Sequence, residues 1–184
     1  MTKEMELMLC AHCAPTLAGM KSGSMVRVPG EKQQLEATVR YWNELLNHRG
    51  VSVRILRSDE QCSLIYIYRP QRLQADWAQP EVRKFLAQHG YGEDVERNID
   101  LLSRRIGEQK EFPHEVGLFL SYPIDDVQGF IDNCGRNYCL CGCWKVYGDK
   151  EAAQKCFARY RKCAEVYVRC YHKGHTLTRL TVAA

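Results

Sequence analysis

The sequence predicts an α+β fold, with a mixed α/β arrangement as the alternative. Three patterns carry that prediction. Two short strand-like runs lie close together early in the chain, at 51–57 and 62–68. Strand and helix signals then alternate late, from about 116 to 173. Between them lie only helical patterns. The expected architecture is a four- or five-stranded mixed sheet covered by helices, ending in a long C-terminal helix. With 184 residues the chain is long enough to bury one core, so a single domain over 1–184 is expected.

Residues 3–19 look helical, with an interruption at Pro15, a residue that suits the first turn of a new helix better than an interior. A Gly/Ser loop follows at 19–24. Residues 31–48 place Leu35, Val39, Trp42, Leu45 and Leu46 on one helical side, and Gly50 ends that helix. Val51 to Arg57 alternates apolar and polar residues, while Cys62 to Tyr68 is rich in Ile and Tyr. Ser58-Asp59-Glu60 between them suggests a β-hairpin. Pro70 closes the second strand, and two or three short helices fill 71–107. The apolar run 116–121 predicts a buried strand. Asp125 or Asp126 then caps a helix carrying Val127, Phe130 and Ile131. A last strand is expected over 138–147, and a helix from about 149 to 173 stops at Gly174.

Hydrophobic residues make up 45% and charged residues 26% of the chain, which argues against disorder. A net charge of +4 is weak for a nucleic-acid binder, so nucleic acid is not an expected partner. No run approaches the roughly 20 apolar residues of a membrane span, and the acidic N-terminal segment does not look like a signal peptide. A cytoplasmic address is expected. There the ten cysteines would be thiols or metal ligands rather than disulfides.

Seven of those cysteines crowd into 134–170. On a strand over 138–147, Cys139, Cys141 and Cys143 share one face with Lys145, and Leu140, Trp144 and Val146 share the better core face. On the following helix Cys156, Cys163 and Cys170 flank the apolar stripe. Zinc or an iron centre needs ligands that converge on one point. Alternate residues of a flat strand stand about 7 Å apart, and helix residues seven apart stand about 10 Å apart. These spacings spread the thiols instead of converging them, so packed or partly exposed thiols are preferred, and Cys134, Cys139, Cys141 and Cys143 remain the metal-ligand candidates. Cys13 is a second kind of candidate. It closes a Cys10-Ala11-His12-Cys13 sequence and stands just before the helix that Pro15 opens, where a thiolate is favoured. The alternative is a buried cysteine at a helix joint. The Lys21-Ser22 loop is too poor in correctly placed glycines for a phosphate cradle.

The segment Pro113-His114-Glu115, with Leu120-Ser121-Tyr122-Pro123 after it, resembles the bacterial domain of unknown function 3793 family, common in anaerobic Firmicutes, whose hallmarks are Pro-His-Glu and Leu-Gly-Tyr-Pro. Ser121 stands where that pattern has glycine. Cys13 to Lys21 and Trp144 to Asp149 are similar to the family as well, so the resemblance spans the chain. It implies no established activity, but it adds weight to His114 and Glu115.

Three functional readings follow. In the first, a small-molecule enzyme uses Cys13 as nucleophile, His114 as its base and Glu115 as a separate acid, with Lys21, Tyr122 and Lys145 as substrate contacts. The alternative to that role for Glu115 is a pairing with an arginine. In the second, the cysteine-rich segment binds a transition metal, zinc or iron, or a redox cofactor. In the third, the basic, tyrosine-rich last helix docks onto a protein partner. The first is preferred.

Overall fold

The computed structural model describes residues 3–108 and 112–183. In chain order the elements are α1 (Lys3–His12), α2 (Ala14–Leu17), β1 (Gly23–Pro29), α3 (Lys32–Leu46), β2 (Ser52–Ser58), β3 (Cys62–Tyr68), α4 (Pro70–Trp77), α5 (Pro80–Gln88), α6 (Val95–Glu108), α7 (Val116–Phe119), α8 (Ile124–Asp132), β4 (Leu140–Cys141), β5 (Lys145–Val146), α9 (Lys150–His172) and α10 (Leu177–Leu180). This is an α+β fold with a long late helix. No helix among the described residues is long and apolar enough to cross a membrane.

Its sheet has three antiparallel strands in the order β1-β3-β2, and β4 pairs with β5 in a separate hairpin. The four- or five-stranded mixed sheet is thus corrected to two smaller antiparallel units. β3 takes the centre, and its apolar residues fill both faces. Ile65 and Ile67 point into one core, and Tyr66 and Tyr68 into the other. The first core packs α1, α2 and α3 on the sheet, with Tyr167 of α9 and Leu177 of α10 closing its edge. The second joins α4, α5, α6, α7 and α8 across the opposite face. Each fully buried Ile or Leu here contributes about 1.5–3 kcal/mol. A third, smaller cluster seats Trp144 and Val146 of the hairpin on Ala153 and Phe157 of α9.

Two further expectations are corrected. Residues 116–121 form no strand; Val116–Phe119 is one helical turn. Its carbonyls find side-chain donors, Tyr66 Oη giving to Phe119 O at 2.6 Å and Trp77 Nε1 to Leu118 O at 3.3 Å. Short buried runs of either kind look alike in sequence. The strand over 138–147 is broken into β4 and β5 by a turn, with Leu140 opposite Val146 and Cys141 opposite Lys145. Its predicted alternation survives: Leu140, Trp144 and Val146 pack inward, while Cys139, Cys141 and Cys143 are exposed.

Asp126 anchors that hairpin. Instead of capping α8, its buried carboxylate accepts the Trp144 indole N–H at 2.6 Å and the Tyr147 and Gly148 amides at 2.7 and 2.9 Å. Asp149 then caps α9 by accepting from the Ala152 amide at 2.9 Å. A different buried charge ties distant segments together. Arg69 donates to the carbonyls of Thr16 at 2.6 Å, Leu17 at 2.7 Å and Val182 at 2.7 Å, and to that of Arg49 at 3.4 Å.

Candidate functional site

A cavity of about 940 Å³ opens between the α1–α2 corner, the start of β1, the cysteine hairpin and α9. That volume lies in the range of small-molecule sites. Leu140, Phe157 and Met25 supply apolar wall, and His12, Lys21, Tyr122, Tyr160 and Arg161 supply the polar groups. No aspartate or glutamate among the described residues lines it.

Lys21 stands at the centre of this arrangement because its loop is fixed from every side. The amides of Met20 and Lys21 donate to Pro15 O at 2.7 and 3.3 Å. The next residue, Ser22, is buried; its amide donates to Ser121 Oγ at 2.6 Å, its hydroxyl to the Asp76 carboxylate, and its carbonyl accepts from the Arg69 amide at 2.8 Å. Arg72 donates to the carbonyls of Gly19 and Met20. Thr16 and Ser24 share a buried hydroxyl bond of 2.8 Å. The Lys21 amine itself has no hydrogen-bond or salt-bridge partner among the described residues. Its Nζ stands 5.7 Å from the ring centre of Tyr122 and 5.7 Å from that of Tyr160, within cation–π range of both. Burial holds its pKa below the ordinary 10.5, opposed more weakly by the nearby thiols of Cys13, Cys143 and Cys156.

The tyrosines are also placed by the fold. Tyr122 stacks on Trp144 with ring centres 4.8 Å apart and donates to Cys143 O at 3.3 Å. Burial, and then the neighbouring Cys143, push its hydroxyl up to about 12, so it stays protonated. Gly142 lets the hairpin lie on the Phe157 ring, because a Cβ there would run into that ring. Cys141 and Cys143 meet the cavity at its rim. Desolvation raises the Cys143 thiol, with Lys21 pulling the other way.

Of the expected site residues, the structure brings Lys21, Tyr122, Cys141 and Cys143 to one cavity. It does not bring Cys13, His114 and Glu115 together. Cys13 is fully buried in the first core, behind the residues that line the cavity, and burial pushes its thiol up to about 12. It caps a helix of four residues without a side-chain bond, so the expected dipole has little length to act over. Glu115 belongs to the second core's side. It accepts from Arg105 Nη1 at 2.6 Å and Tyr91 Oη at 3.1 Å, the pairing with an arginine weighed as its alternative. His114 is exposed on a turn, its ring edge-on to Phe130 at 5.0 Å. Lys145 donates to Gly135 O at 2.7 Å and lies 5.0 Å from the Tyr138 ring, away from the cavity lining.

The four metal candidates, Cys134, Cys139, Cys141 and Cys143, are exposed. Among the described residues no three His, Cys, Asp or Glu side chains are arranged to hold a metal ion. Cys139 instead directs its thiol to Val146 O at 3.3 Å. Tyr160 and Arg161 were missed as site residues because one reads as helix stripe and the other as solvated helix face. The signal that finds them is their adjacency on the single helix that passes the hairpin.

A family model described as "Protein of unknown function (DUF3793)" matches residues 9–181. The chain belongs to the DUF3793 family. No curated protein and no solved structure matches it. The match covers the α1–α2 corner, the Lys21 loop, the hairpin and α9, so every wall of the cavity falls within the DUF3793 segment.

Proposed function

We propose that the cavity binds a small organic anion with an aromatic or apolar body. Lys21 at the centre and Arg161 at the exposed rim supply positive charge, and no carboxylate of the described lining neutralises it. Phe157, Leu140, Met25 and the two tyrosine faces suit the body of such a ligand. The observation that carries this reading is the contrast at Lys21: its backbone is bonded on all sides while its amine has no hydrogen-bond or salt-bridge partner among the described residues. A positioned, unpaired cation in a concave apolar site is suited to a ligand's anion rather than to the fold. Cys141 and Cys143 at the rim would contact the same ligand as thiols, in keeping with a cytoplasmic address.

Isothermal titration with 1-naphthoate tests the proposal, with 1-(aminomethyl)naphthalene as the cationic counterpart. Naphthoate should bind, and Lys21→Met or Arg161→Gln should each weaken it about tenfold or more, the value of one charge-assisted hydrogen bond. Equal binding of anion and cation, or no effect of either substitution, would refute it.

A further inference from the structure

Lys21 differs from an ordinary anion anchor in ways that point to covalent chemistry. Its amine is half-buried, has no hydrogen-bond acceptor or carboxylate partner among the described residues, and faces two aromatic rings across a cavity roomy enough for a second molecule. Anion anchoring alone would be served better by an arginine fork, and Arg161 already stands at the rim. A lysine can do what an arginine cannot, which is to give up its proton and act as a nucleophile.

We propose that Lys21 condenses with the carbonyl group of an aromatic or apolar aldehyde or keto acid, forming an imine inside the cavity while Arg161 holds the ligand's carboxylate. This deepens the anion-binding reading and rests on it. The lone pair of the neutral amine attacks the carbonyl carbon, and the C=O π electrons move to oxygen. The carbinolamine so formed loses its hydroxyl group. Both amine protons leave with that oxygen as water, and a C=N bond remains. Nothing is oxidised or reduced, and no co-reactant is needed.

Burial favours the neutral amine that this step requires. The two tyrosine faces supply an apolar surface against which a flat ligand can lie, and the loop's hydrogen bonds hold the nucleophile in one place before the ligand arrives. The other described lysines lack this setting. Lys145 is occupied by Gly135 O and the Tyr138 ring, Lys162 is paired with Glu165 at 3.8 Å, and Lys3, Lys32, Lys84, Lys150, Lys155 and Lys173 are exposed.

The test uses the full chain at neutral pH with 4-formyl-1-naphthoate and cyanoborohydride, followed by peptide mass spectrometry. Hydride reduces an imine to a stable amine but does not fix a thiol adduct, so Cys141 and Cys143 do not confuse the result. Lys21 should be labelled about tenfold or more ahead of the exposed lysines, because a ligand bound in the cavity holds its carbonyl beside that amine. Excess 1-naphthoate, which has the anion but no aldehyde, should suppress that labelling. Lys21→Arg and Lys21→Met, each checked for native circular dichroism, should remove it without changing the labelling of other lysines. Labelling spread evenly over exposed lysines while 1-naphthoate still binds would overturn the imine and leave anion binding standing. Failure of both probes to bind would overturn both.

Discussion

Replacing Asp126 separates the hairpin's anchorage from the rest of the fold. The carboxylate accepts three hydrogen bonds at 2.6, 2.7 and 2.9 Å, and the residue is 4% exposed. A hydrogen bond to a charged group contributes about 1.5–3 kcal/mol, and a buried donor left unpaired costs about 1–3 kcal/mol. In Asp126→Asn the amide oxygen can still accept from the Tyr147 and Gly148 amides, but the new NH₂ faces the Trp144 indole N–H. One bond is lost and two donors confront each other, so the loss should be about 1–3 kcal/mol. Asp126→Ala loses all three. The bonds are not additive and water can reach the two backbone amides, so about 3–5 kcal/mol is expected. Urea unfolding gives the free energies, and hydrogen exchange locates them. Protection should fall first at Tyr147 and Gly148, with the β1-β3-β2 sheet little changed. Because Leu140, Cys141 and Cys143 line the cavity, naphthoate binding should fall in parallel. An Asp126→Ala protein within about 1 kcal/mol of the parent, with hairpin amides still protected, would refute the reasoning.

Ser121 has φ +58, a left-handed conformation that costs a side-chain-bearing residue about 1–2 kcal/mol, but its hydroxyl accepts the Ser22 amide at 2.6 Å. Ser121→Gly should therefore be nearly neutral in urea unfolding, and Ser121→Ala, which keeps the strain and loses the bond, should be destabilised by about 1–3 kcal/mol. For Lys21 the depressed pKa means that the native state releases a proton before the unfolded state does. Stability gains from this group as pH rises from the lowered native value to 10.5, and below that window the charged amine is a constant penalty. Lys21→Met should thus be the more stable protein near neutrality, the gap closing toward pH 10.5; a gap that does not vary with pH contradicts the assignment. Cys13, Cys143 and Cys156 face Lys21, and Lys21 pulls the Cys13 and Cys143 thiols down, so the gap reports the amine together with its coupling to those thiols. Native alkylation with iodoacetamide should modify Cys134, Cys141 and Cys143 readily. Cys10 and Cys13, fully buried and pushed up to about 12, should react only with unfolding, as mass spectrometry of partial digests would show.

Much of the framework was legible where a single period dominates. The 31–48 pattern became α3 with Leu35, Val39, Trp42 and Leu46 buried, and the Ile/Tyr run became the central strand. β1 escaped because it begins with Gly23-Ser24 and ends at Pro29, turn residues that an edge strand tolerates, which leaves only Val26 and Val28 to show the alternation. The hairpin reads as one strand in sequence because its turn, Gly142-Cys143-Trp144, interrupts neither the alternation nor the cysteine spacing. At the site, Lys21 and Tyr122 were accessible to sequence reasoning as polar residues beside turns. Their convergence with Tyr160 and Arg161 was not, since it depends on how α9 crosses both the α1–α2 corner and the hairpin.

The Arg69 clasp has a consequence for the order of assembly. Its acceptors lie at positions 16, 17, 49 and 182, and the Val182 amide also donates to Leu17 O at 3.0 Å. During synthesis the guanidinium is made long before its last carbonyl exists. A nascent chain must keep that charge in water, or leave it partly satisfied, until residue 182 has cleared the ribosome. The wall that carries Lys21 rests on the same carbonyls. The clasp therefore works as a late lock, so that a complete binding cavity requires a chain made through residue 182.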